Sequence, residues 1–415
     1  MEIDVRLHFS GARQYEKVSY PIRYGQLSEI TLPDYHFQFN LNGEIKYLQG
    51  RGRTWPHPSE WLKRTIGNQW IYYDGSGYNQ VFDYLGEYYL PYFTYKSNHL
   101  WEVDPFHDPS VQEALSAFRR LPRVLKEVLK NGRWSEEERT FLSKAAAMDE
   151  SSLSQRAERL NTILGGRVTV LPPDSRHVDY DCVPLNISDG CLYHCAFCRV
   201  KTGQNFKSRS AANIREQLRG LKEFLGPDLR NYNSLYLGQH DALNCGEGII
   251  EAALRAREDL ELDRSFLEGG CLFLFGSVDS FLRADEPLFR AINRLPFRTF
   301  INLGLESADQ ETLDLLGKPL RAGQVEEVFG RLSEINRQYD RLEVTANFVI
   351  DLHLPAGHWD SLSRLTRDFF PHYFDKGAVY LSPLSRAGRR ELLARFQEIK
   401  RKSRRPVYLY LLQRL

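Results

Sequence analysis

The 415-residue sequence has no long apolar stretch: no run approaches the ~20 residues of a membrane-spanning helix, so no membrane partner is expected. Its opening residues, Met1-Glu2-Ile3-Asp4-Val5-Arg6, hold neither a basic leader nor an apolar core, and no signal peptide is read there. An excess of charge is also missing. Lys plus Arg number 55 against 54 for Asp plus Glu, so overall charge gives no argument for a nucleic-acid or membrane partner. Cysteine is scarce at six, and three of the six are clustered, which is not a secreted disulfide framework. These absences lead to the expectation of a cytoplasmic protein in a reducing environment. Internal repeats and low-complexity tracts are absent as well.

What is present suffices for two or three domains of roughly 100–200 residues, and 42% apolar residues can fill a real core. Residues 1–107 read as a β-rich, aromatic domain. Tyr35–Leu41 and Glu44–Leu48 flank Asn42-Gly43, a strong hairpin signal because turn residues there must tolerate positive φ. A second strand set comprises Trp70–Tyr73, Tyr88–Leu90 and Tyr92–Tyr95, with Gly75-Ser76-Gly77 between. These aromatics form either the core of a small sheet or a stacking platform for a flat substrate.

Residues 108–166 read as a helical connector. Asp108 is a cap with Pro109 at the first helical position, Ser135 and Glu138 have capping-box spacing, and Gly165-Gly166 ends a third helix. From 167 to 385 strands and helices alternate, which implies βαβ units on a parallel sheet and an α/β fold. The strands are Cys182–Ile187, Ser234–Leu237, Cys271–Phe275, Thr299–Leu303, Leu342–Ile350 and Ala378–Leu381. The helical patterns are Ala212–Phe224, Gly246–Leu260, Leu282–Asn293, Gln310–Leu316 with Gln324–Ile335, and His358–Phe370. A last segment, 386–415, offers a basic helix over Arg389–Lys402 and an apolar tail, Val407–Leu412, that can add a strand. Its cations, among them Arg389, Arg390, Arg395, Lys400, Lys402, Arg404 and Arg405, are either a solvated helix face or an RNA contact.

The most informative stretch is Cys191-Leu192-Tyr193-His194-Cys195-Ala196-Phe197-Cys198, with thiols spaced Cys-x3-Cys-x2-Cys directly after the first strand of the alternating region. Thiolates this close on a short loop grip one metal centre from one side. A structural zinc site usually has four ligands in separated pairs, and three thiolates suit an iron–sulfur cube with one iron left open. A zinc knuckle completed by His194, in a zinc- or nucleic-acid-binding module, and plain core cysteines are the alternatives.

The octet, with an aromatic residue before its last cysteine, resembles the radical S-adenosylmethionine (radical SAM) superfamily. A second match, Gly304-Leu305-Glu306-Ser307 with Lys318 downstream, is similar to the subgroup of oxygen-independent coproporphyrinogen oxidase, the methylthiotransferases and the elongator catalytic subunit. The resemblance spans roughly residues 180 to 385. It implies a partial (β/α)6 TIM-like barrel with chemistry at the C-terminal strand ends. It further implies a [4Fe-4S] cluster on Cys191, Cys195 and Cys198, with S-adenosyl-L-methionine on its open iron. The reaction implied is reductive cleavage of SAM to a 5'-deoxyadenosyl radical that abstracts hydrogen from an unidentified small molecule, peptide or RNA. An electron donor such as flavodoxin or ferredoxin would supply the electron, and an RNA-modifying enzyme is a variant of this reading.

By the same resemblance Phe197 lies against the adenine. The segment Gly238, Gln239, His240, Asp241 takes the place that grips the SAM amino group, although the usual acid is absent at the matching spot. Ser277, Glu306, Ser307 and Asn347 complete the expected cofactor-binding set, and Ser382-Pro383-Leu384 forms a wall for the adenine. Arg199 and Lys201 would balance cluster charge, and Asp351 with His353 would face substrate. Cys245 stands where a thiol could give a hydrogen atom to a substrate radical, or is inert. Cys182 and Cys271, near strand starts, are expected in the core.

Overall fold

The computed structural model describes residues 3–14, 23–74, 104–168, 170–178, 180–198, 204–369, 372–385, 388–411 and 414–415, and the backbone of 90–93. Expectations on Gly75-Ser76-Gly77, Tyr88, Tyr89, Thr94, Tyr95, Arg199, Lys201 and Leu412 lie outside these residues.

The first 93 residues build an antiparallel sheet in which each strand pairs with the next: β1 (Asp4–Ser10), β2 (Gln26–Thr31), β3 (Tyr35–Phe39), β4 (Ile45–Gly50), β5 (Trp61–Arg64), β6 (Trp70–Asp74) and β7 (Leu90–Phe93). The β3–β4 hairpin forms around Asn42-Gly43, but not as a two-residue turn with both residues left-handed. Only Gly43 has positive φ, at 79°. The Asn40 side-chain oxygen accepts from the backbone N–H groups of Asn42 (3.1 Å) and Glu44 (2.9 Å), which stabilises a wider loop. The described aromatics of this sheet mostly enter the core: Phe37, Phe39, Tyr47, Trp61, Tyr72 and Tyr73 are all buried, and Trp61 stacks on Tyr73 at 5.1 Å. The core therefore accounts for them without a stacking platform.

Three helices follow. α1 (Pro109–Asn131) starts where Asp108 accepts from Ser110 N at 2.8 Å, with Pro109 in the first turn. α2 (Glu136–Ala147) opens on the reciprocal Ser135–Glu138 capping box. α3 (Glu150–Leu164) ends at Gly165, φ 65°.

A second sheet has seven parallel strands in chain order: β8 (Val183–Asn186), β9 (Leu235–Gly238), β10 (Cys271–Gly276), β11 (Arg298–Glu306), β12 (Leu342–Ile350), β13 (Val379–Pro383) and β14 (Val407–Leu409). The helices between them are α4 (Ala211–Leu225), α5 (Gly248–Asp259), α6 (Val278–Arg283), α7 (Glu286–Asn293), α8 (Gln310–Leu315), α9 (Ala322–Gln338), α10 (Ala356–Ser363) and α11 (Arg389–Lys402). The expected helix Leu282–Asn293 is two helices, because Asp285 caps Leu288 N at 3.0 Å and Pro287 starts a new first turn. The expected helix His358–Phe370 is α10 followed by a π-turn, Arg364–Asp368.

The apolar tail adds the expected last strand to the six of the alternating region, making seven. Residues 386–415 are not an appendage: Val379, Tyr380 and Leu381 pair with Val407, Tyr408 and Leu409. Beyond β14 the Tyr410 hydroxyl donates to the Leu171 carbonyl, in the segment that precedes β8, at 2.7 Å. Cys182 and Cys271 are buried at the strand starts.

Buried charge joins the two sheets. Lys46 of β4 binds Asp181, just before β8, and Lys63 of β5 stands 3.5 Å from the same carboxylate. Burial depresses Lys46 to about 8, against the opposing pull of Asp181. Nearby, Asp228 accepts from Tyr180 (2.9 Å), Asn231 (2.8 Å) and Asn40 (3.1 Å). Of the C-terminal cations, Arg405 lies buried over Phe374 (4.1 Å) and Phe329 (4.9 Å), whereas Lys402 with Glu398 and Arg395 with Glu391 are solvent-exposed pairs along α11. Among the described residues no helix is long and apolar enough to cross a membrane.

Candidate functional site

In a parallel sheet the strand ends and their outgoing loops gather on one side, so residues distant in sequence meet there. Here they surround a cavity of about 710 Å3. The octet forms the loop after β8. It is held by Ser188–Asp189 pairing with Lys207–Ser208, by Ala196 N donating to Leu316 O (3.1 Å), and by the Tyr193 hydroxyl accepting from Asp279 N (3.0 Å). Cys191, Cys195 and Cys198 all line the cavity. Burial pushes the thiols of Cys191 and Cys195 up. Phe197 lines it too, packed with Leu384 on a small apolar group of Leu316, Val349 and Leu354.

Beside the thiols, Glu306 ends β11 with φ 67°, a left-handed conformation costly for a non-glycine residue. Its Oε1 is 3.3 Å from Lys318 Nζ. Gly304 makes this possible, because a Cβ there would stand 2.6 Å from Glu306 Oε1. Burial alone would lower the Lys318 pKa, but the Glu306 carboxylate and the Cys195 thiol overcome it and the ammonium is held above its ordinary range. Lys318 also lies 5.2 Å above the Tyr193 ring. Asn347 reaches the wall from β12, locked in a reciprocal amide pair with Asn302 (2.6 and 3.2 Å). Asn302 continues to Thr345 (2.9 Å) and Thr345 to Asp174 (2.8 Å), a buried chain that fixes the amide's direction.

His240 and Ser277 also line the cavity. His240 Nε2 is buried without a partner, and burial lowers its pKa. The expected neighbours of His240 do not line it. Asp241 faces inward, where Oδ1 accepts from Ser277 N (2.8 Å) and Ser280 Oγ (2.7 Å) and so supports the start of α6. Gly238 meets protein rather than ligand: a Cβ there would stand 2.5 Å from Asn186 Oδ1. The Gln239 carbonyl accepts from the Tyr236 hydroxyl at 3.2 Å. Ser307 is buried against His358 Nδ1 (2.8 Å), and Cys245 sits 3.6 Å from both Ser208 Oγ and Ile187 O, outside the cavity lining. Asp351 accepts from His353, whose side chain is largely exposed, and neither lines the cavity.

Several lining residues stand outside the expected set, among them Lys318, Gly304, Arg389 and Tyr410. Lys318 carried a signal, as the downstream lysine of the Glu306 segment. Gly304 lay within that segment. Arg389 and Tyr410 carried none: one lies in the first turn of α11 and the other just past β14.

The donor set is three sulfurs on one wall beside a buried cation. Among the described residues, no three His, Cys, Asp or Glu side chains gather closely enough for a single ion. His194 points outward onto Asn205 Oδ1 (3.0 Å), away from the thiols it would have to join in a zinc knuckle. Thiolates around an iron–sulfur cube bind separate irons and so need not converge on one point. The residues therefore fit a cluster better than an ion.

No family model matches the chain, and no curated protein matches it. Among solved structures, SuiB of Streptococcus suis is similar at 11% identity over 85% of this chain and 71% of its own, with a TM-score of 0.37. A radical SAM methyltransferase from Sphaerobacter thermophilus is similar at 16% identity over 70% of this chain and 92% of its own, TM-score 0.37. OxsB, a cobalamin-dependent S-adenosylmethionine radical enzyme, is similar at 17% identity over 55% of this chain and 32% of its own, TM-score 0.35. Likenesses this loose carry no argument for the chemistry of this chain.

Proposed function

We propose that the protein is a radical SAM enzyme whose parallel sheet forms a partial TIM-like barrel around the cavity. The observation that carries the reading is the placement of Cys191, Cys195 and Cys198 together on the cavity wall, on the loop leaving the first parallel strand. These three thiols would hold a [4Fe-4S] cluster, leaving one iron for SAM. When bound, the pair supplies one-electron cleavage of the sulfonium and, through it, abstraction of a hydrogen atom from substrate.

The chain's own part is binding and exclusion of water. The Lys318 ammonium lies beside the thiols and offsets their negative charge once they are deprotonated. Glu306, held by Gly304 and Lys318, presents an acceptor for the SAM amino group or ribose. His240 offers a buried nitrogen still lacking a partner, and Asn347 an amide of fixed direction. Phe197, Val349 and Leu384 form an apolar slot suited to the adenine. A flavodoxin or ferredoxin of the cytoplasm would reduce the cluster.

Anaerobic reconstitution with iron and sulfide, with Cys195→Ala as control, tests the reading. The expected result is about four irons with matching sulfide per chain, and 5'-deoxyadenosine with methionine on addition of SAM and dithionite. One zinc per chain, or no 5'-deoxyadenosine above the control, overturns it.

A further inference from the structure

A reciprocal pair of amides has two equivalent arrangements. If Asn302 and Asn347 both exchanged the positions of nitrogen and oxygen, each would again donate to the other. The pair alone therefore does not decide which end of Asn347 meets a ligand. In this chain the bonds run one way. Asn347 Nδ2 donates to Asn302 Oδ1 (2.6 Å), while Asn302 Nδ2 donates to Asn347 Oδ1 (3.2 Å) and to Thr345 Oγ1 (2.9 Å). The bond from Asn302 to Thr345 breaks the tie.

The cause of that direction lies further from the cavity. A threonine hydroxyl has one hydrogen. Thr345 gives it to Asp174 Oδ2 at 2.8 Å, so its oxygen is left to accept and takes the nitrogen end of Asn302. Asp174 sits in the short helical turn Pro173–His177 ahead of β8, where the Tyr380 hydroxyl of β13 also donates to its Oδ1 at 2.9 Å. An ionised carboxyl accepts and does not donate, so the donors run from the cavity wall towards it. Asp174, Thr345 and Asn302 are buried, and of the four only Asn347 lines the cavity. Its amide keeps one N–H and one carbonyl lone pair unspent on protein.

We infer that Asp174 and Thr345 are positioning residues for the cofactor-binding wall. Through Asn302 they set which end of the Asn347 amide the cavity presents, and so whether a ligand meets a donor or an acceptor there. That the ligand at Asn347 is SAM rests on the proposed function, whereas the direction of the hydrogen-bonded chain is independent of it.

A double-variant comparison tests this. Thr345→Val replaces the hydroxyl with a methyl group, Asn347→Ala removes the amide, and Thr345→Ser keeps the hydroxyl. Measurements at pH 8 lie above the value of about 7 to which burial raises Asp174, so the carboxylate is ionised. In urea unfolding of the iron-free chain, the midpoint shift of the double variant is expected to be smaller than the two single shifts together, because both cut one chain. In calorimetry with SAM on the reconstituted protein, affinity is expected to fall about tenfold in Asn347→Ala and about fivefold in Thr345→Val. Thr345→Ser should stay near the wild type, and the double variant should bind no more weakly than Asn347→Ala. Additive urea shifts overturn the inference, as does a Thr345→Val loss of SAM affinity that persists in full without the Asn347 amide. Thr345→Ser binding as weakly as Thr345→Val overturns it too, and this ratio decides even where Asn347→Ala fails to fold. SAM affinity unchanged in Asn347→Ala, with 5'-deoxyadenosine still formed, sinks this inference alone. Coupled urea shifts in a chain that takes up no iron sink the radical reading alone.

Discussion

The chain contains two seven-stranded sheets that treat buried polarity in opposite ways. Where the antiparallel sheet meets the parallel one, buried charges satisfy each other: Lys46 and Lys63 share Asp181, Arg64 binds Glu44 at 2.9 Å, and Asp228 receives four donors. At the C-terminal ends of the parallel strands the polar groups are buried but less completely used. His240 Nε2 has no partner, Glu306 is strained, and three thiols share one wall. A buried polar group costs free energy unless it is paired. The first arrangement therefore reads as attachment and the second as a site awaiting ligands.

Breaking the attachment should give the largest effect. Asp181→Ala removes the carboxylate that Lys46 and Lys63 share in a site less than a tenth exposed, and breaking a buried ion pair from one side costs roughly 3–5 kcal/mol. Urea unfolding should show that loss, and a change below about 1 kcal/mol would contradict the assignment of this network to holding the sheets together. Glu306→Gln is the matching change at the cavity. It leaves Lys318 without its carboxylate, but Lys318 sits on the cavity wall, where water can reach it, so about 1–3 kcal/mol is expected. The same variant should weaken SAM binding about tenfold, measured by calorimetry on the reconstituted protein. Equal stability losses in the two variants would erase the contrast between the regions.

The sequence was most legible where information is local. The Leu342–Ile350 strand has the bounds read from its apolar run, and the cysteine octet is visible because its spacing lies within eight residues. Legibility fails in two ways. At strand exits consecutive side chains point to opposite sides, so proximity to a motif does not decide which residue enters the cavity: His240 does and Asp241 does not, Glu306 does and Ser307 does not. The second failure concerns the chain's return. Tyr410 reaches the cavity just past β14, which pairs with β13, and nothing in the pattern of 386–415 says where that strand docks. The Leu282–Asn293 pattern hid a helix restart, because its apolar period continues across Ala284-Asp285.

The subtlest test of the contrast lies at Asp174, which anchors the hydrogen-bonded chain leading to Asn347. Its carboxyl is fully buried and accepts from Thr345 (2.8 Å) and Tyr380 (2.9 Å). Burial, then the charge of Glu343, raises its pKa from 3.8 to about 7, against the lowering effect of those two donors and Arg176. The folded chain thus binds this proton more tightly than the unfolded chain. The resulting stability is full below pH 3.8, declines as pH climbs towards about 7, and is gone above it. Asn resembles the protonated acid and does not titrate. Asp174→Asn should therefore gain on the wild type as pH rises from 4 to 7. A tenfold difference in proton affinity between the folded and unfolded chains is worth about 1.4 kcal/mol, so a relative gain on the order of 1 kcal/mol should be measurable by thermal unfolding across that range. The comparison with wild type isolates Asp174 from Asp228, which burial also raises to about 7 and which both chains retain. A difference that stays flat from pH 4 to 8 would show that the chain to Asn347 ends in a carboxylate ionised throughout, and the division between a satisfied interface and an unsatisfied parallel-sheet interior would then begin only at the cavity wall.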